Sequence, residues 1–561
     1  MDFDYAIVGG GSAGSVLANR LSAKPGATVL LIEAGVDTPP GQVPADILDM
    51  FPSAALNPRY KWMKLLAYTQ SLRRNDRPPF PILYDQGKVM GGGSSINFQA
   101  ANRGSPADYD EWDALGAAGW GWGDVLPYFR KLEDDADFSG EFHGQGGPIP
   151  VQRMPRKDWS GYTEALAQSL DIAGLPYLED QNGEYRDGYF AATQNNRNGR
   201  RVSAAIAYLD AATRRRPGLQ ILSESHVMEL LFEGRRAVGV RVKTKQGEQT
   251  IRAREIILSA GAVHSPAILL RSGIGPAAQL SDKGIEVRRD VPGVGENLRD
   301  HPGVTIMSYV VPAARVAVGQ RPLQLSLRHS SNLEGCPPND LYTGIYSRAG
   351  WHGVGRRLGA AVTWVNKPFS AGRVSLQTAH WEDEPKVELN YFDDYRDLTR
   401  LMQSVRFVAS LFDREPMQQA SRSAFGARWS PRARAASAVN WKNFIMMGAA
   451  GMLMDGSASA RDYLIRKQIN EGPDLADILA DDEVLEDFVR STAMGIKHLS
   501  CTCRMGRADD PKAVTAVDGR VHGIEGLRVA DASIMPSLPR CNTNLTTMMI
   551  AEKISDAIIA A

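Results

Sequence analysis

Asp4-Tyr-Ala-Ile-Val8 runs into Gly9-Gly-Gly-Ser-Ala-Gly14, a helical pattern continues to Leu21, and Thr28-Val-Leu-Leu-Ile-Glu33 follows. The order is apolar strand, glycine turn, helix, apolar strand and carboxylate, the opening unit of a dinucleotide-binding parallel sheet. Gly9, Gly11 and Gly14 let the backbone turn tightly and approach a pyrophosphate, whose charge sits at the helix N-terminus that Ser12 opens. Glu33 and Ala34 then stand where the ribose hydroxyls lie. A glycine turn by itself is weak evidence, because such turns are common, but the whole unit in this order is specific.

Segments of the same character return later. Ile251 to Gly261 reads as a buried strand ending in glycine with a helix from Ser265, Leu527-Arg-Val-Ala-Asp531 as a strand ending in a carboxylate, and Thr546 to Ile559 as a closing helix. Sheet-forming pieces at the start, middle and end predict an α/β, Rossmann-like nucleotide domain built from residues 1–155, 200–302 and 490–561. Interleaved with it, residues 156–199 and 303–489 form an α+β substrate domain. Alternating apolar stretches in 360–391 suit an antiparallel sheet there. Residues 395–412 and 474–492 carry helical periodicity with acidic starts. Residues 426–460, rich in Ala, Arg, Ser, Gly and Met, show no clear period and read as a long excursion of the cap.

Composition narrows the partners. Sixty-four basic residues balance sixty-four acidic ones, with 43% hydrophobic residues, so nothing marks a nucleic-acid or anionic-membrane binder from overall charge, and a small molecule fits better. No leader precedes the first strand, which points to the cytoplasm. The longest strongly apolar run, Phe444 to Met454, is shorter than the roughly 20 residues a membrane span needs. The four cysteines, 336, 501, 503 and 541, are too few for a disulfide framework and read as buried thiols. No spacing suggests a metal site.

Further motifs carry a family resemblance. Gly87-Lys-Val-Met-Gly91-Gly92-Gly93-Ser94-Ser95-Ile96-Asn97 resembles the first signature of the glucose-methanol-choline (GMC) oxidoreductases, and Gly261-Ala-Val-His-Ser265-Pro266 through Gly275 resembles the second. Trp120 to Asp124, Pro292 to His301 and Val529 to Pro536 are similar to the family as well. Leu31-Ile-Glu33-Ala34-Gly35 looks like the flavoprotein version of the fold, so FAD is the expected cofactor. Within the family, Asn366-Lys367-Pro368 and Asn542-Thr543-Asn544-Leu545 resemble the 5-hydroxymethylfurfural oxidase branch.

The resemblance implies roles for particular residues. Gly91, Gly92, Ser94 and Asn97 lie against the isoalloxazine, the Val227 backbone meets the adenine, and Asp531 lies by the ribityl and pyrophosphate. Ile96 stands where some members attach flavin through a histidine, which implies non-covalent FAD. The segment Gly495 to Gly506 matches the family's active-site stretch and singles out His498 as the base; Asn544 is its expected partner, with Asn542 placed among the cofactor-binding residues and the competing candidate for that partner. An imidazole has the right ordinary pKa to take a hydroxyl proton while hydride leaves the carbon. The other eight histidines read as core or surface residues. Phe98, Val362 and Trp364 are placed around the substrate, and Lys497, where the branch tends to carry an aromatic residue, could pair with a substrate carboxylate or point to solvent.

The expected function is FAD-dependent oxidation of a primary alcohol, benzylic or furfurylic and in one variant carboxylate-bearing, with oxygen as acceptor and hydrogen peroxide as product. Transfer to a quinone-type acceptor, or a hydroxynitrile-lyase-like reaction without redox turnover, are the rival readings.

Overall fold

The computed structural model describes residues 2–70, 81–470 and 472–561. Its strands fall mainly into two seven-stranded sheets. In the first, Asp2–Val8 lies between Val29–Ile32 and Gly247–Leu258, all parallel, with Leu219–Leu222 beyond Val29–Ile32. Leu527–Val529 pairs in parallel with the last residues of Gly247–Leu258. Val29-Leu-Leu-Ile32 is buried along its whole length, as an unbroken apolar strand covered on both faces should be. The register aligns Val8 with Ile32 and with Leu258, and Leu258 with Val529. The carboxyl ends of the parallel strands are therefore level, which in open α/β sheets is where ligands bind. Arg236–Thr244 and His226–Glu233 extend the sheet antiparallel.

The helix Ser12–Leu21 packs against the closing helix Thr543–Ala560. Their contact is fixed by Arg20, which reaches the fully buried Glu552 at 2.7 Å, while the Tyr208 hydroxyl donates to the same carboxylate at 2.8 Å. A buried carboxylate needs such partners to remain charged.

The second sheet is antiparallel, in the order Ser421–Ala427, Pro302–Val310, Leu358–Val365, Leu341–Tyr346, Leu323–His329 and Gly188–Ala191, with Met494–Gly495 pairing to the start of Pro302–Val310. The helix Tyr395–Phe412 buries Leu398, Leu401, Val405, Val408 and Leu411, a three- and four-residue spacing that makes one apolar stripe. Residues 360–391 do not form one antiparallel sheet as expected. Leu358–Val365 joins the large sheet, while Arg373–Ser375 and Lys386–Tyr391 form a smaller one with Leu66–Gln70 and Ile82–Leu83, in which Lys386–Tyr391 and Leu66–Gln70 are parallel.

The helical stretch at 474–492 is two helices, Leu475–Ala480 and Asp482–Thr492. Asp481 separates them, its carboxylate accepting the Glu483 amide at 2.7 Å to cap the second. Residues 426–460, which show no clear period in sequence, contain Pro431–Ser437, Trp441–Gly456 and the start of Ala458–Leu464, all helical. Trp441–Gly456 escapes a periodicity argument because its apolar residues face outward as well as inward.

Candidate active site and cofactor cavity

A cavity of about 890 Å³ opens at the carboxyl ends of the parallel strands. Gly9, Gly11, Ser12, Glu33, Ala34, Gly92, Val227 and Asp531, eight of the expected cofactor residues, line it. Gly14 sits beneath the turn, where a Cβ would fall 1.8 Å from the Gly9 carbonyl oxygen, so only glycine lets helix and strand close together there. Gly92 has φ +53° and a Cβ on it would come within 2.9 Å of the Gly11 Cα. The two glycine turns therefore touch backbone to backbone, the Gly91 amide donating to the Gly10 carbonyl at 2.7 Å. Gly91, Ser94 and Asn97 do not line the cavity but brace that turn. The Ser94 hydroxyl bonds the Gly91 carbonyl at 2.5 Å, and Asn97 accepts from Arg201 at 2.7 Å.

The donor set fits FAD. Side chains are missing where a pyrophosphate must approach the backbone, and the helix N-terminus at Ser12 faces that space. Glu33 is buried and pushed up to about 7 by that burial; its oxygens accept from the Gly10 and Gly35 amides at 2.8 and 2.7 Å, which orients the carboxylate at the cavity wall. Asp531, also raised by burial, accepts from the Gly261 amide at 2.8 Å and from Ser265 at 2.6 Å, tying the second-signature helix to the cavity floor. Near Val227 the wall is aromatic. Trp62 stacks on His264 with centroids 4.2 Å apart, and His226 meets Trp62 edge-on at 5.0 Å. Both histidines read as plain core or surface residues in sequence, and neither carries a local signal beyond its neighbours' motifs.

His498 is placed by an irregular ladder. Met494–Gly495 pairs with Pro302–Gly303, and Ser500 bridges to Arg299. Four residues, 496 to 499, thus oppose only two, Asp300 and His301, and the surplus bulges out. Lys497 takes up the turn at φ +71°, a conformation costly for a residue with a Cβ and held only where the surroundings impose it. The diverted His498 amide donates to Asp300 Oδ1 at 2.8 Å, the His301 amide to the same oxygen at 2.9 Å. Tyr391 donates to Asp300 Oδ2 at 2.8 Å, and Tyr84 bonds that oxygen too. Asp300 thereby fixes the backbone of both histidines without touching either ring.

The bulge brings the two imidazoles together, Nδ1 to Nδ1 at 2.8 Å. On its other side, His498 Nε2 accepts from the Asn542 amide Nδ2 at 3.0 Å. The proton of a neutral His498 is then on Nδ1, donated to His301, and the lone pair is on Nε2. Burial holds His498 down to about 3 and His301 well below its ordinary value, so both are uncharged at neutral pH.

This corrects the expected pairing. Asn542, not Asn544, meets the histidine, while Asn544 Oδ1 accepts from Ser12 at 2.8 Å. Asn542 precedes the helix Thr543–Ala560 in an extended conformation, φ −64° and ψ 134°, whereas Asn544 lies in its first turn, so the two side chains leave the chain in different directions, one to His498 and the other to the glycine turn. His301 was equally missed, although the stretch ending at Asp300-His301 was among the recognised motifs.

The second sheet supplies the surroundings. Trp364 is buried and stacked on Tyr342 with centroids 4.6 Å apart, and Val362 packs on the same cluster with Ile496. Phe98 is 41% exposed and edge-on to Tyr346 at 5.0 Å, more open than a buried pocket wall. Lys497 Nζ lies 4.1 Å from the Tyr84 ring centre and 4.0 Å from Asp85. Cys501, Cys503 and Cys541 are buried free thiols; Cys336 is only partly buried. No helix among the described residues is long and apolar enough to cross a membrane.

Comparison with known proteins identifies the family. Residues 3–303 and 368–551 match the N- and C-terminal parts of the family described as GMC oxidoreductase. The chain is 43% identical to the 5-(hydroxymethyl)furfural oxidase of Methylovorus sp. (strain MP688), covering 99% of this chain and 98% of the relative. It is 32% identical to the alcohol dehydrogenase (acceptor) of Pseudomonas putida, over 99% and 96%. Among solved structures, pyridoxine 4-oxidase from Mesorbium loti superposes with a TM-score of 0.80 over the full length of both chains at 27% identity. With two glycine turns meeting at a cavity lined by the expected cofactor residues and a match that runs nearly end to end, this chain belongs to the GMC oxidoreductases, FAD-dependent enzymes acting on CH–OH donors.

Proposed function

We propose that the protein oxidises a benzylic or furfurylic primary alcohol to the aldehyde at the His498–Asn542 pair, with oxygen as the electron acceptor. The observation that carries the chemistry is a buried imidazole bonded Nδ1 to Nδ1 with His301 and at Nε2 to the Asn542 amide, partners that assign the proton to Nδ1 and the lone pair to Nε2. A substrate hydroxyl delivered to Nε2 gives up its proton there, and the Asn542 amide orients the same oxygen. His301 keeps the ring in the right tautomer and accepts the Nδ1–H bond as the ring gains charge. Asp300 and the two tyrosines prevent the bulge from relaxing. FAD, when bound, supplies the hydride acceptor, held in the cavity by Gly9, Gly11, Ser12, Glu33, Gly92, Val227 and Asp531. Ile96 offers no nucleophile, so the flavin is non-covalent, and acid should release it completely from the precipitated chain.

The substrate class is supported by the likeness to a furfural oxidase and by the aromatic cluster of Trp364 and Tyr342 with Val362 beside it. An alcohol panel tests the reading, scored together for anaerobic flavin bleaching, peroxide and dye reduction. Bleaching by hydroxymethyl-furans and benzyl alcohols with stoichiometric peroxide is expected. Bleaching with dye reduction but no peroxide would assign a dehydrogenase, and no bleaching by any alcohol would sink the redox reading.

A further inference from the structure

The helix Trp441–Gly456 presents Trp441, Phe444, Ile445, Met446, Met452 and Leu453 to solvent, each more than half exposed. Its other side is firmly seated. Gly451 meets the Gly353 backbone, Met454 is buried, and Asp455 at the end of the helix is paired with Arg315 and Arg357 at 2.5 and 2.8 Å. The outward face is thus a fixed surface and not a frayed segment awaiting a core position. Contiguous apolar patches of this kind are rare on soluble monomers and mark a contact surface.

The charges around it are equally distinctive. From Arg428 to Lys467 the sequence has seven Arg or Lys residues and two Asp, in a chain whose totals balance at sixty-four of each sign. Of the two acids, Asp455 is already neutralised by arginines from outside the stretch. Arg432, Lys442, Arg466 and Lys467 are exposed. A second copy docking through the same patch would bring one basic cluster against another, which costs rather than stabilises. An apolar helix face with tryptophan at one end and a basic surround matches a helix lying in the plane of an anionic bilayer, its apolar side at the acyl boundary and its cations among the headgroups. Its 16 residues, about 24 Å long, are too few to cross.

We propose that the Trp441–Gly456 helix seats the protein on an anionic lipid surface. The test uses full-length holoenzyme sedimented with vesicles of phosphatidylcholine alone or mixed with phosphatidylglycerol. Expected is at least tenfold tighter binding to the mixed vesicles, weakened by salt because part of the attraction is between charges. Phe444→Ser with Ile445→Ser should abolish binding, and Lys442→Glu with Lys467→Glu should reduce it about tenfold, both with wild-type flavin content and alcohol turnover in solution. The charge pair is exposed, so it keeps the test alive if the apolar pair fails to fold. Protein left in the supernatant with both vesicles, or equal binding to both, overturns the proposal. So does a dimer in sedimentation equilibrium that the Phe444/Ile445 variant dissociates without any lipid binding, which would make a second copy the occupant.

Discussion

His143 and His498 are both almost inaccessible, at 5% and 7% exposure, yet their surroundings shift them in opposite directions, one to the protonated and one to the neutral form. His143 sits among carboxylates, Nδ1 3.0 Å from Asp135 and Nε2 2.7 Å from Asp180, and these partners raise it to about 10 against the cost of burial. His498 touches only another imidazole and an amide, and burial lowers it to about 3. Asp300 is close to His498 but is spent on backbone amides, so it supplies no counter-ion to the ring. Burial alone therefore does not make a histidine functional. A ring held protonated at neutral pH by carboxylates is a crosslink, and a neutral one whose Nε2 lone pair meets only an amide can accept a proton. The Glu133, Asp135 and His143 group has the composition of a metal site, but Arg153 lies 2.8 and 3.0 Å from the two Asp135 oxygens and Arg103 binds Glu133. The acids are already matched by cations.

The largest expected effect comes from deleting the neutral ring. His498→Ala should retain FAD and slow anaerobic flavin reduction by about 10² to 10⁴, the usual range for a positioned base. Stopped-flow bleaching with the best alcohol measures it, and a rate near wild type would move the base elsewhere. Asn542→Asp converts one environment toward the other by placing a carboxylate against Nε2. If it raised His498 as far as His143 is raised, the neutral fraction at pH 7 would fall to ~10⁻³. Activity should then be lost at neutral pH and return as pH rises, because the base works only when deprotonated. Asn544→Ala, by contrast, should leave flavin reduction within about threefold and instead weaken FAD retention, read from flavin released on dilution. If Asn544→Ala slowed reduction more than Asn542→Ala, the assignment of the pair would be reversed.

Much of this site was legible and some was not, for physical reasons. The glycine turn, its two flanking strands and Glu33 are local, so one stretch of sequence contains the whole unit. His498 is visible because its neighbours form a motif. Its partners depend on things a linear reading does not contain. Asn542 and Asn544 fall on either side of a helix boundary, Asn542 as the extended residue before Thr543–Ala560 and Asn544 within its first turn, and that boundary decides which of them meets His498. His301 is nearly two hundred residues away in sequence and meets His498 only because Pro302–Gly303 pairs with Met494–Gly495 and the segment after Gly495 bulges at Lys497. The Trp441–Gly456 helix hides from periodicity because a helix apolar on both faces has no stripe to detect.

His143 offers a prediction about stability. Its folded pKa of about 10 lies above the ordinary 6.5, so the native state binds the proton more tightly than the unfolded chain. That contribution is fully present below about pH 6.5 and is lost as pH rises through about 10. The melting temperature should therefore fall between pH 7 and pH 10, and His143→Gln should flatten the slope while lowering stability at pH 7. Parallel slopes in the two proteins would show that the carboxylates around His143 do not hold its proton.

The smallest expected effect concerns Lys497, the residue next to the base and the one cation that sequence placed against the substrate. Its ammonium lies over the Tyr84 ring and 4.0 Å from Asp85, with the side chain 31% exposed. Asp85 itself is shared with Lys61 at 2.9 Å. A substrate carboxylate would have to compete with this arrangement in a partly wet setting, where an ion pair is worth about 0 to 1 kcal/mol. The positive φ of Lys497 matters more to the site than its charge, since it is the turn that sends His498 toward Asn542. Lys497→Met should consequently change the ratio of kcat/KM for a carboxylated alcohol to that for its neutral analogue by less than about threefold. Lys497→Gly, which relieves the backbone, should leave flavin reduction intact. A tenfold fall in the ratio for Lys497→Met, ~1.4 kcal/mol in the transition state, would restore the ammonium as a determinant of substrate choice.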